Sequence, residues 1–478
     1  MNVYDKQYID GKWVEGSGTV ILEERNPLTN ELLYTYRSAG PEDVDAAYRA
    51  AEKAQKMWET FLPAQKQAVF EKAINNMIAM EDEIHTVLCE EGGFIKPKRE
   101  FEYDTCIAFL KTCMKFPEMM TGKIAPSNIP GKENYVFRVP KGVICVIAPW
   151  NVPLVLAMRS VVPALAAGNA VVLKPASDTP ATASLVAKIF ENTGMPDGLL
   201  NILTGAGSQI GDEIVQHPIP RLVSFTGSTS VGRHIGEVAG RMLKEVSLEL
   251  GGNNAMLVLK DANIEDAAAA AVFGSFFNQG QVCMALNRII VEDEVYDQFT
   301  ESFIKKVKNL KIGDPKDDEV FVGPIISASQ RDSVQKLVDT SIQEGAKIAL
   351  EGKTNGNLMS PWILTDVTND MATACNEVFG PVISIIRAKD EADAISISND
   401  TEYGLSGSVF TKDLYHGIQV AQKLDTGMVH INDQSINDEP HVMFGGVKNS
   451  GIGRFNDEWV LEKFTTDRWI SVQTQARF

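Results

Sequence analysis

The chain is poor in the residues that metal and disulfide chemistry need. Six cysteines and six histidines are scattered over 478 residues, with no CxxC pair and no HxxxH or HxxEH spacing. Zinc catalysis therefore has no ligand set, and no metal is expected. Cys106 and Cys113 lie seven apart on one helix face without a nearby histidine, and they read as core packing. The cysteines fit reduced thiols in a cytoplasmic protein. Positive charge is also short: 45 Lys and Arg face 63 Asp and Glu, for a net charge of -18. Such a surface repels phosphate backbones, so nucleic acid is not an expected partner. The start, MNVYDKQYIDGKWVEG, has no apolar run of the kind a secretion signal carries. The longest apolar stretch, 142–173, is interrupted by Pro149, Asn151, Pro153, Arg159, Pro163 and Asn169. A membrane span needs about 20 mostly apolar residues, so this stretch reads as core.

What is present is an ordered alternation. Tyr8 to Val14 reads as a hairpin turning at Asp10-Gly11. From Pro41, apolar positions Val44, Ala47, Tyr48, Ala51, Ala54, Met57 and Phe61 recur at three and four, opening a helical region that runs to about Phe116. Beyond Lys141 strands and helices alternate: strands at 142–147, 170–174, 199–203 and 222–225, helices at 154–165, 181–192 and from about Ser230. This is the pattern of a parallel, doubly wound α/β sheet. A second alternating region spans about 254–444, and Arg468 to Val472 reads as a strand without a partner in its own half.

Several residues carry chemistry. Cys283, in FNQGQVCM, follows a glycine and two amides that suit an exposed loop, although a lone cysteine is most often inert core. A thiolate attacks carbonyls well, and an unperturbed thiol, of pKa about 8.5, needs modest help to ionise. Glu249, between leucines at a strand end, is a satisfied core carboxylate or a general base. Asn151, in PWNVP, sits in a Pro-rich turn or is an amide held by flanking prolines as an oxyanion donor. Gly205 to Gly211 imitates a dinucleotide fingerprint with one residue too many and is set aside. FTGSTSVG, 225–232, follows a strand and opens a helix, a place that favours a pyrophosphate. Lys174, at a strand end, is a surface charge or reaches a ribose.

In combination these segments resemble the aldehyde dehydrogenase superfamily over almost the whole chain. The resemblance is carried by PWNVP (149–153), LKPAS (173–177), FTGSTSVG (225–232), LELGG (248–252), FNQGQVC (277–283), EVFGP (377–381) and FGGVKNSGIGR (444–454). It implies a Rossmann-type cofactor domain, an α/β catalytic domain and a β bridging arm for oligomerisation. The implied boundaries are 1–116 with 141–251, then 252–445, and 117–140 with 460–478, and the implied assembly is a homodimer or homotetramer. Cys283 would attack the aldehyde, Asn151 and the Cys283 amide would hold the oxyanion, and hydride would pass to NAD or NADP. Glu249 would activate water against the resulting thioester, unlike the CoA-acylating branch, which lacks this glutamate. Ile147, Trp150, Lys174, Ser177, Gly227, Ser228, Leu250, Glu377 and Phe379 would contact the cofactor. Ser177 stands where many NAD-preferring members carry a glutamate, so both cofactors are expected.

Arg159, with VVPAL behind it, is similar to the benzaldehyde, vanillin and salicylaldehyde dehydrogenase group, and Met443 stands where proline is usual. An aromatic aldehyde would suit a pocket of Trp150, Met284 and Phe444. The alternatives are an aliphatic aldehyde or semialdehyde with the same mechanism, or a non-catalytic role on this fold.

Overall fold

A computed structural model describes residues 3–478. Its first sheet has eight strands, in the order Lys12–Val14, Gln7–Ile9, Leu200–Ile202, Ala170–Lys174, Val143–Ile147, Leu222–Thr226, Glu245–Glu249 and Gly451–Ile452. The five strands from Leu200–Ile202 to Glu245–Glu249 are parallel; Gln7–Ile9 and Gly451–Ile452 flank them antiparallel, and Lys12–Val14 pairs antiparallel with Gln7–Ile9. Of the five, Val143–Ile147 comes first in the chain, and Ala170–Lys174 and Leu222–Thr226 flank it on opposite sides. A topological switch point therefore opens beyond its carboxyl end, where doubly wound folds bind ligands. The expected hairpin is present, with Asp10 and Gly11 at φ 50° and 73°, the geometry of a tight Asp-Gly turn.

The second sheet orders Lys347–Leu350, Trp362–Thr365, Val382–Ala388, Leu286–Glu292, Asn254–Val258, Gly407–Phe410 and His430–Ile431, parallel except at the first edge. Its central strands are buried on both faces and rich in Val, Ile and Leu, as parallel sheets are. Four helices, Pro41–Glu59, Pro63–Ala79, Glu81–Gly92 and Lys96–Cys113, form the helical region read from the sequence. Cys106 and Cys113 are buried on the last of them, inside the first core.

The tail strand finds its partner outside its own half of the chain. Thr465–Gln473 pairs antiparallel with Lys132–Pro140 of the same chain over nine residues, and Gly122–Ala125 completes a three-stranded sheet. The separation of these strands in sequence hid the pairing. Before reaching that sheet the chain returns to the first one: Gly451–Ile452 pairs with Leu248 and Glu249, and Val460, Leu461 and Phe464 pack into its core. Among the described residues no helix is long and apolar enough to cross a membrane.

Candidate active site

Cys283 follows a backbone run that only a well-braced loop sustains. Asn278, Gln279 and Gly280 take φ values of 51°, 58° and 70°. Left-handed backbone costs about 1 kcal/mol or more per non-glycine residue, so the surroundings must hold it. Gln279 does so on both ends of its amide, donating to the Pro324 carbonyl (2.9 Å) and accepting from the Gly323 N–H (3.0 Å). Gln281 Oε1 accepts from the Ile326 N–H (3.0 Å), and Asn278 Nδ2 donates to the Asn151 carbonyl (3.1 Å). All three amide side chains are fully buried. The exposed loop expected here is thus an inward-folded one, because its turned peptides find partners only in neighbouring segments. Beyond the thiol, Asn254 Nδ2 donates to the carbonyls of Cys283 and Ala285, both at 2.8 Å. Gly252 makes room, since a Cβ there would lie 2.5 Å from the Cys283 carbonyl oxygen.

Two further groups reach this place from the first sheet. The Asn151 amide donates to the Gln281 carbonyl (3.0 Å), which fixes its orientation beside the cysteine loop. Glu249 ends its strand with both carboxylate oxygens buried and without a hydrogen-bond partner. Burial pushes its carboxyl up to about 8, while Arg159 and Arg454 pull it back and Asp438 adds to the rise. Such a group exchanges protons near neutral pH. The Cys283 thiol is pushed up to about 12, again first by burial, against the opposing pull of Arg159. Modest help is therefore not enough to ionise it: the thiol needs a base as it reacts.

On one side of Cys283 lies a cleft along the carboxyl edge of the first sheet. Its outer cavity, about 640 Å³, is walled by Ile147, Lys174, Ser177, Gly207, Asp212 and Ser228. Its inner part brings Trp150, Asn151, Leu250, Glu377 and Phe379 to Cys283. Ser228 caps the helix Thr229–Arg241 through the Val231 N–H, so free amides face the cleft. Glu377 accepts from the Gly252 N–H (3.0 Å), and Trp150 meets Phe379 edge to face at 5.4 Å. A Cβ at Gly227 would strike the Phe225 ring at 2.5 Å, and one at Gly251 would strike Glu377 Oε2 at 2.3 Å. These two glycines leave a smooth floor, and the whole cleft fits an extended dinucleotide. Lys174 is buried, not a surface charge; it donates to the Pro175 carbonyl (2.8 Å), and burial pulls it down to about 8. The segment set aside at 205–211 begins the helix Gly207–Gln216, whose first turn lines the cleft. Its extra residue spoils the fingerprint but not the helix start.

On the other side lies an apolar tube containing Phe101, Val155, Met284, Phe444 and three charged residues, Lys98, Arg159 and Asp438. Trp150 is not in its wall and belongs to the cofactor side, and Met443 does not line it either. Arg159 forms a buried ion pair with Asp438 and stacks over the Phe444 ring at 4.0 Å. Asn456 holds the other Asp438 oxygen (2.9 Å). Lys98 pairs with Glu102 in full burial. Sequence reasoning missed Lys98, Glu102, Asn254, Asp438 and Asn456. One signal was available: Lys98 and Glu102 stand four apart, in helical register with Cys106, Phe109 and Cys113.

The aldehyde dehydrogenase family profile matches residues 13–470. The chain belongs to the aldehyde dehydrogenase family. It is 48% identical over 474 residues to a benzaldehyde dehydrogenase of Bacillus subtilis, covering 99% of this chain and 98% of the relative. It is likewise 48% identical to a vanillin dehydrogenase of Corynebacterium glutamicum, over 98% of this chain and 97% of the relative. The crystal structure of an NAD-dependent benzaldehyde dehydrogenase from Corynebacterium glutamicum superposes with a TM-score of 0.91 at 43% identity, covering 100% of this chain and 98% of that one. The fold and the activity that the seven segments imply are those of this family.

Proposed function

We propose that this aldehyde dehydrogenase oxidises aromatic aldehydes to carboxylic acids through a covalent adduct on Cys283. The observation that carries the reading is that Asn151 and Cys283 line the dinucleotide cleft, that Cys283 also lines the apolar tube, and that the partnerless carboxylate of Glu249 acts on that thiol. Ile147, Trp150, Lys174, Ser177, Gly227, Ser228, Leu250, Glu377 and Phe379 would hold the cofactor along that cleft. The bound nicotinamide supplies a hydride acceptor.

Cys283 Sγ attacks the carbonyl carbon and passes its proton to a base as it does so, because burial keeps the thiol neutral beforehand. The oxyanion of the thiohemiacetal is held by the Asn151 amide and the Cys283 backbone N–H. After oxidation to the thioester, Glu249 in its ionised form takes a proton from water, which attacks the acyl carbon and frees the acid and the thiol. Providing for water in this way argues against release of the acyl group to a thiol cosubstrate.

The aromatic preference is supported by the benzaldehyde and vanillin dehydrogenases among the relatives and by the apolar tube with Met284 and Phe444 in its wall. The space between these side chains is about 20 Å³, so a ring enters by displacing a flexible neighbour such as Met284. Ser177 removes the repulsion a carboxylate would exert on a 2′-phosphate, and both NAD and NADP are accepted. Residues 1–116 and 141–251 form the cofactor domain, joined by the returning segment near 451–464, and 252–445 form the catalytic domain. The sheet of 122–140 and 465–473 joins subunits into a homodimer or homotetramer. Its Ile124, Phe137, Trp469 and Ile470 are exposed in the single chain.

The test is absorbance of reduced nicotinamide with NAD and with NADP against benzaldehyde, vanillin and a short aliphatic aldehyde. Faster turnover of the two aromatic substrates is expected. Turnover of the aliphatic aldehyde alone would discard the aromatic reading and keep the family.

A further inference from the structure

The helix Pro153–Ala166 begins two residues after Asn151 and carries Val155, Leu156 and Arg159 to the wall of the tube. Its own sequence cannot cap it. The residue before it is Val152, whose side chain accepts nothing, and Pro153 brings no N–H. The next two amides point instead at a carboxylate 52 residues away. Glu102 Oε2 accepts from the Leu154 N–H at 2.9 Å and from the Val155 N–H at 3.1 Å. Glu102 Oε1 is paired with the Lys98 ammonium, and both side chains are fully buried. Lys98 in turn lies over the Phe94 ring, 4.3 Å from its centroid.

We propose that Glu102, tethered by Lys98, is a positioning residue for oxyanion stabilisation. It fixes the start of the helix Pro153–Ala166 and thereby the place of the Asn151 amide. A buried ion pair is a costly way to cap a helix, and two well-packed apolar residues are often as stable. Its use here is geometric. The helix start, Asn151 and the Cys283 loop form one chain of contacts: Glu102 to Leu154, Asn151 Nδ2 to the Gln281 carbonyl, and Asn278 Nδ2 back to the Asn151 carbonyl. Release of the first contact frees the turn that carries Asn151 to shift. This inference rests on the reading of Asn151 as an oxyanion donor, so Asn151→Ala is measured beside it.

The experiment compares two matched double variants of the full chain, Lys98→Met with Glu102→Gln and Lys98→Met with Glu102→Leu. Neither buries an unpaired charge, both lack the lysine, and only the first keeps an oxygen for the two amides. Single-turnover formation of reduced nicotinamide at saturating benzaldehyde is read together with dinucleotide affinity and melting temperature. The Glu102→Leu pair is expected to be about tenfold slower or more than the Glu102→Gln pair, since small misplacements of catalytic groups cost that much. Dinucleotide affinity is expected to be the same in both. A merely structural role would lower the melting temperature and leave the two rates equal, and equal rates overturn the proposal. If the Glu102→Leu pair does not fold, Glu102→Asp carries the test. It withdraws the carboxylate by one methylene and keeps the charge, and a wild-type rate for it overturns the proposal. A slow Asn151→Ala with equal rates in the two pairs defeats this inference alone. Asn151→Ala at the wild-type rate defeats the reading of Asn151 on which it rests.

Discussion

On the cofactor side of Cys283 the walls are glycines and helix starts, with Gly207, Gly227, Gly251 and Ser228 presenting backbone to the cleft. On the substrate side they are apolar side chains threaded by two buried ion pairs, Lys98 with Glu102 and Arg159 with Asp438. The first surface offers backbone and absent side chains, and it stays open. The second is closed by its own packing; Lys98 is held by a partner on its own helix, and Arg159 by Asp438 from far along the chain. Burial shifts both Glu249 and Cys283 first, and Arg159 and Asp438 of the closed side act on both.

The largest effect is expected where both sides meet. Cys283→Ala should lower aldehyde oxidation by about 10⁴-fold or more while dinucleotide binding persists. Residual turnover near wild type would remove Cys283 from its role. Asn151→Ala should slow hydride formation by about 10²- to 10³-fold, the usual cost of one oxyanion donor. An unchanged single-turnover rate would count against it. Glu249→Gln should give a full first burst of reduced cofactor and then turn over about 10²-fold more slowly. Normal steady-state turnover would contradict the assignment.

The cofactor side alone is probed by Ser177→Glu, which should lower kcat/KM with NADP relative to NAD by about tenfold or more. An unchanged ratio would mean that residue 177 does not face the 2′ position. The smallest effect concerns pH. Glu249 acts as a base only when ionised, so turnover limited by thioester hydrolysis should rise with pH through a midpoint near 8. Asp438 raises the Glu249 carboxyl, so Asp438→Asn should move that midpoint to lower pH; an alkaline shift would refute the coupling. The sign for stability is opposite. A carboxyl raised above its ordinary 4.5 favours the fold at low pH and loses that contribution as pH rises through about 8. Glu249→Gln should therefore melt higher than wild type above that pH.

The contrast also explains what could be read from the sequence. Most cofactor-side groups lie in short contiguous segments, because a strand, a glycine turn and a helix start are local structures. FTGSTSVG and EVFGP were legible for that reason, as was the alternation that makes the first sheet parallel. The substrate side brings Lys98, Arg159, Met284, Asp438 and Phe444 together from five separate stretches. Spacing says nothing about such meetings: Trp150, expected both at the cofactor and in the aromatic pocket, lines the cleft and not the tube. The buried state of Gln279 and Gln281 was hidden too, because polar residues beside glycine read as loop surface until their left-handed turn and its distant partners are seen. The tail strand was legible but its partner was not, since Lys132–Pro140 lies more than 300 residues earlier.

The most direct test of the account is the intact mass of the Glu249→Gln protein after mixing with benzaldehyde and NAD. The account predicts a gain of one benzoyl group per chain, located by digestion on Cys283 and absent from Cys283→Ala. A protein that makes reduced cofactor without carrying that group, or carries it on another residue, would contradict a thioester on Cys283 resolved by Glu249.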